Sequence, residues 1–397
     1  MDWLAMQMFG EGNWLMNILW FIMLMAFFWF YPRLMISQIM YKLESTAKEL
    51  EDMSARSKKF IIGRVAGKRK PEKKLAESVE RFFEFFVISP TSLDPYGIVG
   101  KLDHLVREER KRFRYFVSQI APKMDSENQA SLEMGLAAGI SMHQIAKIVR
   151  HYVELVRKTK NLQIAMVLQM QLPMIERIAR AVYKGTQTLA KGEVVGDGLG
   201  PLVMVALAGK SKMKEVYEET LTARTKIQGR NAILLKARGP GGRLGRLDRA
   251  VEKILSKQKV AKIVTIDAAA KLEGEKTGSV AEGVGVAIGG IGIEKTHIED
   301  IAVRRNIPLD SIIVKMSQEE AITKMRKPIF DAVPMVKESV GRSLETVKPG
   351  STVLIVGVGN TSGVGNSSAA VDSVKKQVDA HEKKLREKKA RKKSWFS

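Results

Sequence analysis

The sequence predicts three parts in series: an N-terminal transmembrane helix, an all-α helical domain, and an α/β three-layer domain with a mostly parallel sheet. Three observations carry this. An uncharged apolar run occupies Trp14 to Tyr31. Apolar residues then recur at spacings of three and four as far as about residue 190, the period of helices with one buried face. After Gly192 short β-branched runs alternate with helical stretches, the grammar of a parallel sheet covered on both faces. The expected divisions are an anchor at 1–40, a basic juxtamembrane segment at 41–75, a helical domain at 76–190, an α/β domain at 191–366 and a basic tail at 367–397.

The anchor comes first. Its 18 residues, WLMNILWFIMLMAFFWFY, contain no charge, and Leu34–Met35–Ile36 extend the run past Pro32. That length reaches what a bilayer core requires. Trp14, Trp20, Trp29 and Tyr31 suit the two interfaces. A cleaved signal peptide fits poorly, because acidic Asp2 and Glu11 precede the run and no small-residue cleavage site follows. No Lys or Arg precedes the helix, whereas residues 33–74 hold 12 Lys/Arg against 5 Asp/Glu. The positive-inside rule therefore expects a single-pass protein of the cell membrane, N-terminus outside and bulk in the cytoplasm. The lipid bilayer is the expected partner of residues 14–31.

The helical middle is expected to hold an early helix carrying Phe82, Phe83, Phe85 and Phe86, a turn between Pro90 and Pro95, and helices at 102–120, 142–156 and 162–183. Met166, Met170 and Met174 lie four apart on one face and are read as core. His104, His143 and His151 lack a carboxylate at ligand spacing and are read as structural.

In the α/β part, strands are expected at 232–236, 262–267, 283–288, 311–315 and 352–357, and helices near 201–226, 247–257, 294–304 and 318–347. Ligands of such sheets bind at the carboxyl ends of strands. Four motifs fall at strand ends or loops: Gly196-Asp197-Gly198-Leu199-Gly200-Pro201, the loop Gly239 to Gly245, Ile266-Asp267-Ala268, and Val356-Gly357-Val358-Gly359-Asn360-Thr361. Gly196, Gly198, Gly241, Gly359 and Asn360 are the candidate binding positions, since glycine admits close backbone approach. Asp197 and Asp267 are the candidate catalytic carboxylates; the competing reading makes each a cap of the turn or helix it precedes.

The motifs GDGLGP and VTIDA, with a GVGN strand end, resemble the phosphorylase/hydrolase-like α/β fold of the hydrogenase-maturation endopeptidases and spore germination proteases. By that resemblance Asp197 matches the first acidic position and Asp267 the second. It implies a metal held by such carboxylates with a histidine, or two catalytic aspartates. The GVGN strand comes last here rather than first, so the likeness requires a circular permutation that pairs Thr352–Asn360 where a first strand belongs. The whole chain also resembles an uncharacterised archaeal family of membrane-anchored proteins.

The implied chemistry is hydrolysis, with a divalent metal as candidate cofactor on Asp197, Asp267 and His297. Glu282 is a further candidate acid. The chain has no cysteine, which excludes thiolate catalysis and sulfur-built zinc sites. Two other classes stay open. Gly239 to Gly245, with Asp267 ending the next strand, is near a dinucleotide fingerprint. Residues 375–393 hold 10 Lys/Arg against 3 Asp/Glu, so residues 375–397 are a candidate contact with RNA, the ribosome or anionic lipid, with Trp395 and Phe396 at the end. That alternative is a membrane-tethered scaffold.

Overall fold

The computed structural model describes residues 14–87, 97–285 and 293–394. The expected turn at Pro90 and Pro95, the acidic N-terminal flank, the end of the 283–288 strand, and Trp395 with Phe396 lie outside them. Helices α1 (Trp14–Ala66), α2 (Lys73–Phe82), α3 (Ile98–Ile120), α4 (Ser126–Thr159) and α5 (Leu162–Ala190) come first. The α/β part follows as α6 (Leu199–Ala208), β1 (Lys214–Tyr217), β2 (Thr220–Ile227), β3 (Arg230–Ala237), α7 (Leu247–Lys257), β4 (Lys262–Ala270), β5 (Val280–Val284), α8 (Ile293–Arg304), β6 (Leu309–Met316), α9 (Gln318–Ile322), α10 (Lys327–Phe330), α11 (Val333–Leu344), β7 (Thr352–Gly357) and α12 (Ala369–Ser394). The predicted fold class is the one observed.

The chain forms two compact units. One joins residues up to Met53 with His143–Ala179. Its α1 carries the apolar run and is long and apolar enough to cross a membrane. Beyond the run, Ile39, Leu43, Ala47 and Leu50 are buried, as are Val149, Val153 and Val156 of α4 and Ala165, Leu168 and Leu172 of α5. These recur at three and four, so each helix buries one stripe. Arg150 ties the helices together: its guanidinium binds Glu51 at 2.6 and 2.9 Å and Glu44 at 2.7 Å. Met166, Met170 and Met174 are exposed, against expectation. At about 100° per residue, the face through Ala165, Leu168 and Leu172 turns them outward.

The other unit joins Ser54–Met142 with Arg180–Ser397. Its sheet has the order β1-β2-β3-β7-β4-β6-β5. The centre, β3-β7-β4-β6, is parallel; β1, β2 and β5 pair antiparallel at the two edges. Helices α6, α11 and α12 cover one face, against Ala232, Leu234, Val264 and Ile355. Helices α7 and α8 cover the other, against Ile233, Leu235, Ile263 and Leu354. Successive strand residues point to opposite faces and both are buried, which is why these strands read as continuous apolar runs. The last strand, β7, lies at the centre, between β3 and β4.

Four expectations are corrected. The helix expected at 201–226 stops at Ala208, and β1 and β2 follow. The β2–β3 hairpin turns on Gln228 and Gly229, both at positive φ, the two-residue geometry that matches strand twist. The helix expected at 318–347 is broken into α9, α10 and α11, with Pro328 and Pro334 in the first turns of the last two. The strand expected at 283–288 runs at 280–284 among the described residues. Finally, the basic tail begins as a docked helix, with Ala370, Val374 and Val378 of α12 in the core.

The N-terminal half of α4 and the helix α3 brace the sheet unit. Glu127 reaches Gly241 and Arg243, and Arg110 binds Glu294 at 3.1 Å.

Candidate functional site

Three of the four motifs meet where β7 ends beside the carboxyl-terminal half of β4, which runs on to Ala270, past the expected end at Asp267. A short 3₁₀ turn, Gly196–Gly198, precedes α6 and carries Asp197. The first turn of α6 presses against both strand ends: a Cβ on Gly200 would overlap the Val358 carbonyl and lie 2.7 Å from that of Ile266. Opposite it, Gly359 adopts φ of +130°, a conformation L side chains rarely take, with its Cα against the Asp197 carbonyl. The Val358 N–H donates to the Ile266 carbonyl at 2.9 Å. So the glycines serve contact between chain segments. Gly196 packs on the Glu320 carbonyl and Gly198 on that of Asn360.

This packing brings Asp197 and Asp267 together. The Asn360 N–H donates to Asp197 Oδ2 at 2.8 Å, the one hydrogen bond to that carboxyl among the described residues. Asp197 is partly buried. Burial, then the neighbouring charge of Asp267, pushes its pKa up to about 6, against the Asn360 bond and Lys295. Asp267 is 3% exposed. Its Oδ1 accepts from the Ala268 N–H at 2.8 Å, and its Oδ2 faces the Lys295 ammonium. Burial raises the Asp267 pKa, and Lys295 opposes the rise.

Lys295 is the member of this cluster that sequence reasoning missed. Its neighbour His297 was expected as a ligand instead. Residues two apart on a helix do not share a face, and His297 points to α7, where Nδ1 lies 3.2 Å from Asp248 Oδ2. The signal was there to read: helical phasing lets Lys295 or His297 face the strand end, not both.

The donor set does not fit a divalent metal. Asp267 Oδ2 already faces an ammonium, His297 is turned away, and among the described residues no group of three metal-ligating side chains occurs. Glu282 lies on edge strand β5, paired with Arg342 at 2.7 Å.

The fourth motif is closed by the protein itself. Glu127 Oε2 accepts from the Gly241 N–H at 2.7 Å, and the Thr361 hydroxyl donates to the Gly241 carbonyl at 2.7 Å. The Asn366 amide binds both the N–H and the carbonyl of Gly239. The backbone donors of Gly239 and Gly241 are therefore engaged within the protein itself. Fully buried Lys236 braces the same loop, donating to Ala237 and Asn366. Burial pushes its pKa down to about 7.

No curated protein and no solved structure matches this chain. Two models of one family do. Residues 17–192 match the protein of unknown function (DUF1512) N-terminal domain, and residues 195–365 match the domain of unknown function (DUF1512) C-terminal. They meet where the helical region gives way to the α/β part, and together they span most of the sequence: the chain belongs to the DUF1512 family.

Proposed function

We propose that this protein is a hydrolase anchored to the membrane by α1, its bulk on the cytoplasmic side, with Asp197 and Asp267 as the catalytic pair. The observation that carries this reading is the meeting of the two aspartates at the carboxyl ends of central strands, with Asp197 brought to about 6. A general base works best when its pKa lies near the operating pH. Ionised Asp197 takes a proton from an attacking water. The water oxygen bonds the substrate carbonyl carbon, the carbon–heteroatom bond breaks, and the leaving group takes the proton from Asp197. The Lys295 ammonium, paired with Asp267, offers a cation for the developing oxyanion. The likeness to maturation and germination peptidases makes an amide the first substrate class to try.

The test is turnover of a peptide amide and ester panel by the full chain in nanodiscs. Asp197→Asn is expected to lower turnover by ~10²–10⁴, the usual contribution of a positioned base. Equal turnover by variant and parent defeats the reading. The sidedness has its own check. Lys383→Cys, a unique thiol in a cysteine-free chain, is expected to resist an impermeant maleimide added outside cells.

A second reading rests on the far end of α12. Its first turns are fixed in the core, whereas Lys383, Lys384, Arg386, Lys388 and Arg391 are exposed. A fixed helix with an exposed basic end supports a tethered scaffold for RNA, the ribosome or anionic lipid. Truncation after Glu382 then removes salt-sensitive binding; unchanged binding removes this reading.

A further inference from the structure

The compact unit that carries the anchor also carries an exposed apolar hairpin end. Helices α4 and α5 are joined at Lys160, which has φ of +50°, and Asn161. The Asn161 side chain caps α5 by accepting from the Gln163 and Ile164 N–H groups at 2.9 and 3.2 Å. Just beyond the turn, Met166, Val167 and Met170 are 47%, 56% and 70% exposed. Residues 157–175 include Arg157, Lys158 and Lys160 but no acidic residue.

Contacts within this unit fix the height of that hairpin end along α1. Arg150 reaches Glu44 and Glu51, while the later Arg157 reaches the earlier Glu44, so α4 runs antiparallel to α1. Ten residues beyond Arg150, Lys160 is level with about Ser37, and three residues beyond Arg157 it is level with about Tyr41, at the same rise per residue in both helices. Helix α5 returns parallel to α1, and Thr46 donates to Glu176 at 2.9 Å. Ten residues back along each helix, Met166 is level with about Ile36. These contacts place the hairpin end at the end of the apolar run and within about the one turn that follows it.

Trp14 through Ile36 rises ~35 Å, against a hydrocarbon core of ~30 Å with ~5–7 Å of headgroup on each side. The hairpin end therefore falls in the headgroup layer if α1 spans. Its cations suit an anionic leaflet, each worth ~1 kcal/mol there. Its methionines and valine suit shallow burial at the acyl boundary.

We propose that the α4–α5 hairpin end is a second membrane contact, docking on the anionic headgroup layer beside the anchor. This rests on the anchoring reading, and the test separates the two. The full chain, which has no cysteine, is given one thiol at a time and a fluorescent label, in nanodiscs containing nitroxide lipid labelled either near the headgroup, to report position 166, or in the middle of the acyl chain, to report position 28. Phe28→Cys reports the anchor, Met166→Cys the hairpin end, and Ile148→Cys, exposed and further from the turn, the background. Docking predicts quenching at positions 28 and 166 but not 148, stronger in phosphatidylglycerol nanodiscs than in phosphatidylcholine. Each of Lys158→Gln and Lys160→Gln is expected to weaken docking about fivefold, the equivalent of ~1 kcal/mol. Quenching at 28 with none at 166 overturns the docking alone. No quenching at 28 overturns the anchoring reading and the docking with it. Equal quenching at 166 in both lipids overturns the anionic partner. Oxidative cross-linking through Met166→Cys without quenching assigns the face to a second copy instead.

Discussion

The two ends of the central sheet each hold a lysine–aspartate pair, and they differ in how the pair is satisfied. At the amino end, Lys262 donates to the Ser343 carbonyl at 2.8 Å and to Thr346 Oγ1 at 3.2 Å, and lies 2.5 Å from Asp310 Oδ2. The Ser343 hydroxyl donates to that same Asp310 oxygen at 2.6 Å. Charge and hydrogen bonds close on themselves there. At the carboxyl end, Lys295 and Asp267 are joined by a second carboxylate, Asp197, which among the described residues accepts from one backbone N–H. Three titratable groups share that space, and the surplus acid shows up as a raised pKa. A saturated network holds structure, whereas an under-bonded carboxylate pair is set up to exchange a proton.

The comparison breaks most severely at Gly200. A methyl there overlaps the Val358 carbonyl, so Gly200→Ala is expected to cost about 4 kcal/mol or more, read by chemical denaturation. Next, Asp310→Ala removes the carboxylate of a partly buried pair and leaves the charge of Lys262, 7% exposed in its side chain, uncompensated. A loss of about 3 kcal/mol is expected, with the carboxyl-end chemistry intact.

Asp197→Asn should have the opposite sign. Asp197 binds its proton more tightly folded than unfolded, since its pKa of about 6 lies above the ordinary 3.8. Its favourable contribution is complete below pH 3.8 and is lost as pH rises through 6. The variant should match the parent at pH 4 and exceed it by about 3 kcal/mol at pH 8. Loss of turnover with gain of stability is the mark of a residue kept for chemistry. The smallest effect belongs to Glu282→Gln. Its Arg342 pair is exposed at the sheet edge, and a change below about 1 kcal/mol is expected, with both ends of the sheet unaltered.

Much of the carboxyl end was legible in the sequence because glycine-rich strand ends in a parallel sheet must converge. GDGLGP, Asp267 and GVGN were separable motifs, and the fold packs them against one another through Gly200 and Gly359. Lys295 was not legible in the same way. A histidine nearby drew the ligand assignment, and only the helix phase distinguishes which side chain faces the strand. Strand β3 was legible, whereas β1 and β2 fell within the expected helix because charged residues obscure their period. The turn at Gln228-Gly229 was the overlooked sign. The Lys262–Asp310 network was invisible, since two strands and a helix end must be juxtaposed before it exists. Likewise the methionines of α5 follow helical spacing whichever way the helix faces. Only the buried stripe of Ala165, Leu168 and Leu172 shows that they point outward.

The most direct test is the titration of the Asp197 carboxyl itself, by carbon NMR of aspartate-labelled protein, with Asp197→Asn identifying its signal. A midpoint of about 6 is expected, falling when Asp267→Asn removes the neighbouring charge. A midpoint near 4, unmoved by Asp267→Asn, would mean that the two carboxylates do not share a site and that Asp197 is an ordinary cap of its helix.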